Sequence, residues 1–215
     1  MKVGILGSGD VATSLGSGFV TLGHEVRLGS RSAGNPKVVA WAKGTKGKGS
    51  YGTFSDAAAF GEVVVLATHG VATEEAIRIA GPTHFDGKVV IDPTNPIAFS
   101  AQGLPRLAIG LTTSQGEVNQ RSLPRAHVVK AFNIIGHEHM FRPNFPGGPP
   151  DMFICGNDEA AKKKVEQILH DFGWSSVLDL GGIEASRELE SLCVLWVTAG
   201  TRLQNFRIAF RLLRK

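Results

Sequence analysis

The chain has 215 residues, 42% hydrophobic and 20% charged, with a formal net charge of +4 and a pI near 9.2. These values are ordinary for a soluble globular protein of one large domain, or of a domain with a small annex. No apolar run approaches the roughly eighteen residues of a membrane span. The mild positive charge suits an anionic ligand without calling for nucleic acid. The first strand pattern begins at Lys2, so no signal peptide is expected. Cys155 and Cys193 lie far apart, neither in a CxxC, so buried thiols in a reducing cytoplasm are expected.

Lys2 to Leu6 is a short apolar run of the kind that forms a buried parallel strand. It leads into Gly7-Ser8-Gly9-Asp10-Val11-Ala12, a G-x-G-x-x-A turn, then a periodic stretch from Val11 to Leu22 that closes on Gly23. A second strand pattern, Glu25 to Leu28, follows. Strand, glycine turn, helix and strand in about thirty residues is the context that gives this motif its meaning. Gly7 permits the tight turn, Gly9 lets the backbone approach a pyrophosphate, and the small Ala12 lets helix and strand pack closely. The anion is then expected on the free N–H groups of the helix start.

An NAD site usually carries Asp or Glu about twenty residues beyond the glycines, to accept from the ribose 2′-OH. Here the second strand ends Leu28-Gly29-Ser30-Arg31, without an acid, and Glu25 lies at the wrong end. Arg31 can clasp a 2′-phosphate with its planar fork and Ser30 can donate to it, so NADP is the expected dinucleotide. Lys37 adds positive charge nearby. Lys43, Lys46 and Lys48 read as a solvated loop.

Asn35 to Ala42 predicts a short helix with Pro36 in its first turn. Ser50 to Phe54 is a strand candidate, and Ser55 the expected cap of a helix over Asp56 to Phe60. Glu62 to Ala67 (EVVVLA) is the clearest buried strand. Thr73 to Ala80 predicts a helix stopped by Gly81-Pro82, and Lys88 to Asp92 another strand. A long loop from Pro96 to Thr113 precedes a capping-box pattern, Ser114-Gln115-Gly116-Glu117, for a helix to about Arg121. Ala126 to Ala131 is the next strand. This alternation predicts an α/β protein, a Rossmann-type doubly wound parallel sheet with ligands at the strands' carboxyl ends, followed by a small C-terminal α/β annex. Arg142 to Pro150, rich in Pro and Gly, is the expected linker between an NADP-binding domain over 1–141 and a small unit over 151–215. In that unit Asp151 to Cys155 and Trp174 to Leu180 read as strands. Asn157 reads as the cap of a helix over Glu159 to Phe172. A final helix is expected from about Ala185 towards the end, with an apolar stripe Leu192, Leu195, Ala199, Leu203, Phe206, Phe210 and Leu213. Its basic faces, with Arg202, Arg207, Arg211, Arg214 and Lys215, complement its own dipole.

The chain resembles the deazaflavin (coenzyme F420)-dependent NADP oxidoreductases, and is similar to the oxidoreductase domain of metalloreductases. The matching residues are Gly7-Ser8-Gly9-Asp10, Leu22-Gly23-His24-Glu25-Val26, Gly29-Ser30-Arg31, Lys130-Ala131-Phe132-Asn133, Leu180-Gly181-Gly182 and Glu188-Leu189-Glu190. By that resemblance Ser8, Ser30 and Arg31 hold the 2′-phosphate end of NADP, and the protein is a homodimer whose final helix helps close the ring-binding cleft; Phe206 and Phe210 are then expected to be buried in the fold or in the dimer interface. Family members often carry a Pro-aromatic pair where this chain reads Thr68-His69-Gly70.

The expected cofactor-binding set is Gly7, Ser8, Gly9, Asp10, Val11, Ser30, Arg31, Lys37, Ala67, Thr68, His69 and Asn95. Candidates for the catalytic side are His69, just past the EVVVLA strand, and Asn95 and Asn133, each after a later strand. Thr94 shares their position, and Lys130 is able to stabilise an anionic ring or to be structural. No metal is expected, because the histidines of His137-Glu138-His139 are two apart and would face different ways on a helix. The expected reaction is hydride transfer between NADP(H) and a small-molecule redox acceptor, a deazaflavin (coenzyme F420) or a flavin such as FMN or FAD. The alternatives are an NADP(H)-sensing module without turnover and a hydroxyacid or imine reductase, although the latter typically needs a larger helical domain than the residues after Glu184 provide.

Overall fold

The runs VGIL, VVVL, VVI and VVK are too short for helices and too apolar for surface strands. In the computed structural model, which describes residues 1–213 and 215, they lie side by side in the middle of one sheet. The strands in chain order are β1 (Lys2–Leu6), β2 (Glu25–Ser30), β3 (Gly49–Thr53), β4 (Val63–Leu66), β5 (Val89–Asp92), β6 (Ile97–Phe99), β7 (Pro105–Leu107), β8 (His127–Lys130), β9 (Asp151–Gly156) and β10 (Ser176–Asp179). Among the described residues, all but β6 and β7 form one sheet, ordered β10-β9-β8-β5-β4-β1-β2-β3. From β3 to β8 every neighbouring pair is parallel.

Alternate residues of the strands feed two separate cores, as the period of two requires. Val3, Ile5, Val63 and Val65 pack with α1 (Asp10–Thr21), α2 (Pro36–Lys43) and α6 (Glu159–Asp171), whereas Leu6, Val64, Leu66 and Val90 pack with α3 (Phe54–Phe60) and α4 (Thr73–Ala80). α5 (Gln115–Ser122) and α7 (Ser186–Leu203) complete the helices named here. The protein is therefore an α/β, Rossmann-like fold, covered on both faces. No helix among the described residues is long and apolar enough to cross a membrane.

The 151–215 segment continues the same sheet. β9 runs antiparallel to β8, pairing Val129 with Gly156 and Lys130 with Cys155, and β10 adds to β9 in parallel. Phe172, just after α6, is fully buried where the two segments meet. Its ring lies 4.7 Å from Phe19, 5.2 Å from Phe141 and 5.7 Å from Phe132 between centroids.

Several local expectations need correction. Thr53 caps α3, in a reciprocal box with Asp56, so Ser55 does not. Asp158 caps α6, while Asn157 instead accepts from the Ile183 N–H. The loop from 96 to 113 contains an antiparallel hairpin, β6 with β7. Most consequentially, α7 stops at Leu203. Gln204 adopts a left-handed conformation (φ 51°) and the chain turns back as an irregular strap. The strap is held by Trp196 Nε1 donating to the Ile208 carbonyl (2.8 Å) and by the Asp151 N–H donating to the Phe210 carbonyl (3.0 Å). The expected stripe is thereby broken: Phe206 packs on the Trp196 ring and is 47% exposed in the single chain, while Phe210 is partly buried against the core. Arg214, counted among the basic residues of that helix, lies outside the described residues.

Phe172→Ala should lower the unfolding free energy by about 3–5 kcal/mol, as expected for deleting a buried aromatic ring. Urea unfolding followed by tryptophan fluorescence reads this directly, and a loss under about 1 kcal/mol would show that the two segments pack independently of this ring.

Candidate dinucleotide-binding site

The carboxyl ends of β1, β2, β4, β5 and β8 all emerge on one edge. β1 is the switch point, with β2 and β3 on one side and β4, β5 and β8 on the other. A ligand crevice is expected there. The glycine turn is fixed from below, because a side chain on Gly7 would collide with the Ala67 carbonyl. Gly9 is different. It caps α1 without any side-chain hydrogen bond, and a Cβ there would meet no atom within 4 Å. The first N–H groups of α1 are thus uncovered beside open space, with Asp10 exposed and Val11 partly buried at the helix start.

On the β2 side, the sequence carries no acidic residue between Glu25 and Asp56, and Asp56 is engaged in the α3 cap. Ser30 is buried at the strand tip and donates to the Ser32 carbonyl, whereas Arg31 is exposed. Asn35 reaches the Ser8 hydroxyl at 3.5 Å and caps α2 by accepting from the Lys37 N–H, which sets the exposed Lys37 on the first helical turn. Asn35, which sequence reasoning treated only as a helix start, thus ties the loop after β2 to the glycine turn.

On the other side, Ala67 and Thr68 are partly buried after β4, and Thr68 Oγ1 lies 2.9 Å from Thr73 Oγ1. His69 is exposed and opens a 3-10 turn over Gly70–Ala72. Gly70 abuts the Asn95 backbone so closely that any side chain would collide with it. Asn95 and Asn133 are joined reciprocally: Asn95 Nδ2 donates to the Asn133 carbonyl (2.8 Å), and Asn133 Nδ2 donates to Asn95 Oδ1 (2.9 Å) and to the Leu189 carbonyl (3.0 Å). The structure thus brings His69, Asn95 and Asn133 to one stretch of rim. Asn133, however, is only 3% exposed and acts as a clamp between loops.

Beneath this rim lies a buried charge cluster. Lys130 Nζ is 2.9 Å from Glu190 Oε1 and 3.1 Å from Asp92 Oδ2, and donates to the Thr94 carbonyl at 2.7 Å; none of the three charged residues is exposed. Lys130 is therefore closed off from the cleft and does not touch what binds there. Burial pulls its ammonium down, but the two carboxylates outweigh that and hold it above the ordinary lysine range. Burial pushes the Cys155 thiol up to about 11 and the Cys193 thiol up to about 12. His137 meets Ser14 on α1 at 3.3 Å, and the His139 ring stacks on Phe145. Among the described residues no group of three or more His, Cys, Asp or Glu is arranged to hold a metal.

The model of the family described as NADP oxidoreductase, coenzyme F420-dependent, matches residues 2–96. A protein from Arthrobacter sp. FB24, described as a putative F420-dependent NADP-reductase, superposes with a TM-score of 0.93 at 34% identity, covering 100% of both chains. The chain belongs to the F420-dependent NADP oxidoreductase family. It is also 31% identical over 143 residues to the F420-dependent NADP reductase of Methanocaldococcus jannaschii, covering 66% of this chain and 63% of that one. Over 196 residues it is 31% identical to the metalloreductase STEAP3 of Rattus norvegicus, and there it spans 89% of itself but only 36% of the relative. A reductive aminase from Aspergillus terreus, solved with NADPH, shares the fold at 19% identity and a TM-score of 0.64. The family and the reductases it groups are NADP-dependent oxidoreductases.

Two outcomes follow from this geometry. Gly9→Val should leave the circular dichroism spectrum unchanged, since the added side chain meets nothing, and abolish NADPH binding by calorimetry, since it fills the pyrophosphate's space; retained affinity would remove the glycine turn from the site. At pH 8 a thiol of pKa about 11 is thiolate in about one molecule per thousand. Neither Cys155 nor Cys193 should therefore be alkylated by iodoacetamide in the folded protein, whereas both should react in urea. The protection should weaken only as pH rises towards those values.

Proposed function

We propose that this protein transfers a hydride between NADP(H) and a ring acceptor, a deazaflavin (coenzyme F420) in the first place and a flavin (FMN or FAD) as the second acceptor class. The observation that carries the dinucleotide half is the tip of β2, where Ser30 and the exposed Arg31 stand in place of a ribose-binding acid, beside the uncapped start of α1. The open space at Gly9 and the free N–H groups there fit a pyrophosphate. Arg31, with Ser8, Ser30 and Lys37, would take the 2′-phosphate, the Arg fork supplying two parallel donors. Bound across β1, the cofactor supplies a hydride from its nicotinamide ring. Transfer between two rings needs face-to-face placement and exclusion of water more than a nucleophile or strong base. In this reading Ala67, Thr68 and Asn95 form the floor under the nicotinamide half, and His69 lies on the rim towards the acceptor.

The acceptor class rests on the family and on its F420-dependent members. The same proposal includes a cytoplasmic homodimer. Its support is apolar surface left exposed on the β6–β7 hairpin and α7, where Phe99 is 59% and Leu195 54% exposed, and light scattering measures it. The deciding experiment follows NADPH at its nicotinamide absorbance with F420, FMN and FAD, beside an imine and a 3-oxoacid. Turnover with F420 or a flavin supports the reading. Turnover with the imine or oxoacid alone redirects it to those reductases, and binding without turnover makes the protein an NADP(H) sensor.

Arg31→Ala should weaken NADP(H) by about 1.5–3 kcal/mol, a lost charge-assisted contact, while leaving NAD(H) nearly untouched. Equal losses for the two dinucleotides in a binding titration would remove Arg31 from the 2′-phosphate.

A further inference from the structure

A buried ion cluster is weak evidence for stability, because well-packed apolar residues often do as well. This one is arranged for something else. All three ammonium protons of Lys130 are committed, to Asp92, to Glu190 and to the Thr94 carbonyl. Asp92 Oδ1 in turn accepts from both the N–H and the hydroxyl of Thr94 (2.9 and 2.6 Å), and the two oxygens of Glu190 accept from the N–H groups of Gln115 and Gly116 (2.9 and 3.0 Å). Thr94 immediately precedes Asn95. Leu189, which takes the side chain of Asn133, immediately precedes Glu190. Between Lys130 and Asn133 the buried Phe132 holds a left-handed backbone (φ 64°), a conformation that costs an aromatic residue about 1–3 kcal/mol and persists only where its surroundings impose it. Each anchor of the Asn95–Asn133 bridge is thus within three residues of a charged member of the cluster. An apolar replacement would fill the space but could not hold the Thr94 carbonyl inward.

We propose that Lys130, clamped between Asp92 and Glu190, is a positioning residue for the nicotinamide side of the cleft, fixing the Asn95–Asn133 bridge without touching the cofactor. This rests on the NADP(H) reading above, in which the adenosine half lies over β2 and the nicotinamide half over β4 and β5.

The test uses two ligands: adenosine 2′,5′-bisphosphate, which engages only the adenosine side, and NADPH, which engages both. Glu190→Gln keeps the side-chain shape and leaves Lys130 and Asp92 as a neutral pair. The double variant Lys130→Met/Asp92→Asn removes that pair without changing net charge. For either variant the bisphosphate affinity should stay within about twofold, while the NADPH dissociation constant rises about tenfold or more, the scale on which misplacement of a binding surface is felt. A variant with a lower melting temperature but both affinities intact would make the cluster purely structural and overturn the proposal. So would equal weakening of both ligands, or failure of both variants to fold. If the unaltered protein binds neither ligand, it is the NADP(H) reading that fails, a result distinct from an absent split between the two probes.

Discussion

An ammonium group cut off from water is tolerable only if every proton finds an acceptor and its charge is met by carboxylates, and Lys130 imposes that condition on the centre of this fold. Asp92 comes from β5, the neighbouring strand, but Glu190 must be brought from α7, sixty residues further along. To deliver it, α7 crosses α5 so closely that Gly116 has no room for a side chain, with Ser186 and Lys130 Cε pressed against it. The start of α5 then offers its N–H groups to Glu190, which partly offsets the second buried carboxylate. At the surface end of the same crossing, Arg187 clasps Glu117 through two donors (2.8 and 2.5 Å). The hydrogen bonds from Arg187 hold that carboxyl below its ordinary range. Docking of the C-terminal segment is therefore set by charge satisfaction as much as by the apolar contacts of Phe172.

The two sides of the cleft are built by opposite means. On the β2 side, the recognition proposed above uses exposed side chains and uncovered N–H groups, with Arg31 and Lys37 standing in solvent and Gly9 leaving space. Such a surface attracts a highly charged phosphate and reads it by geometry, and it perturbs the fold little. On the β4–β5–β8 side, the loops hold one another: Gly70 against Asn95, Asn95 with Asn133, Asn133 onto α7. A flat ring placed there, as proposed, would offer few groups to grip and would take its position from the rigidity of what surrounds it.

That difference decides what was legible in the sequence. The glycine turn and the missing acid after β2 lie within about thirty residues, each central strand is a short local run, and the structure forms these strands where the sequence puts them. The Ser114 cap of α5 is legible, but the caps of α3 and α6 lie two residues and one residue from the expected positions, because Thr53 and Ser55, or Asn157 and Asp158, are chemically able to do the same work, and only the backbone path selects between them. The end of α7 was misread because apolar residues of a strap packing on Trp196 and β9 repeat at steps of three and four as a helix would. Gln204 gives no Gly or Pro stop signal. The Lys130 cluster is assembled from three distant segments. Its one trace is a pair of charges, Asp92 and Lys130, closing strands whose centres are apolar. A charge at the end of a buried strand asks for a partner, and no local pattern says from where it comes.

The same asymmetry bears on how dinucleotide choice and acceptor choice are able to vary in this fold. In the proposed reading, replacing the exposed Arg31 would alter one set of phosphate contacts and leave both cores as they are, which would make the selection of NADP over NAD separable from folding. The ring side lacks that freedom. Moving Asn95 means moving Thr94, which Asp92 and Lys130 hold from below, and moving Asn133 means disturbing its bond to α7. The exposed His69, at the tip of β4, is the part of this rim that sits outside the clamp. In the proposed reading, variation in the acceptor would be most easily accommodated at Thr68-His69-Gly70 and on the surfaces facing it, with the clamped loops as the fixed floor. Within that triplet Gly70 is itself constrained by Asn95 and Thr68 by Thr73, which leaves the imidazole of His69 as the group least tied to the scaffold.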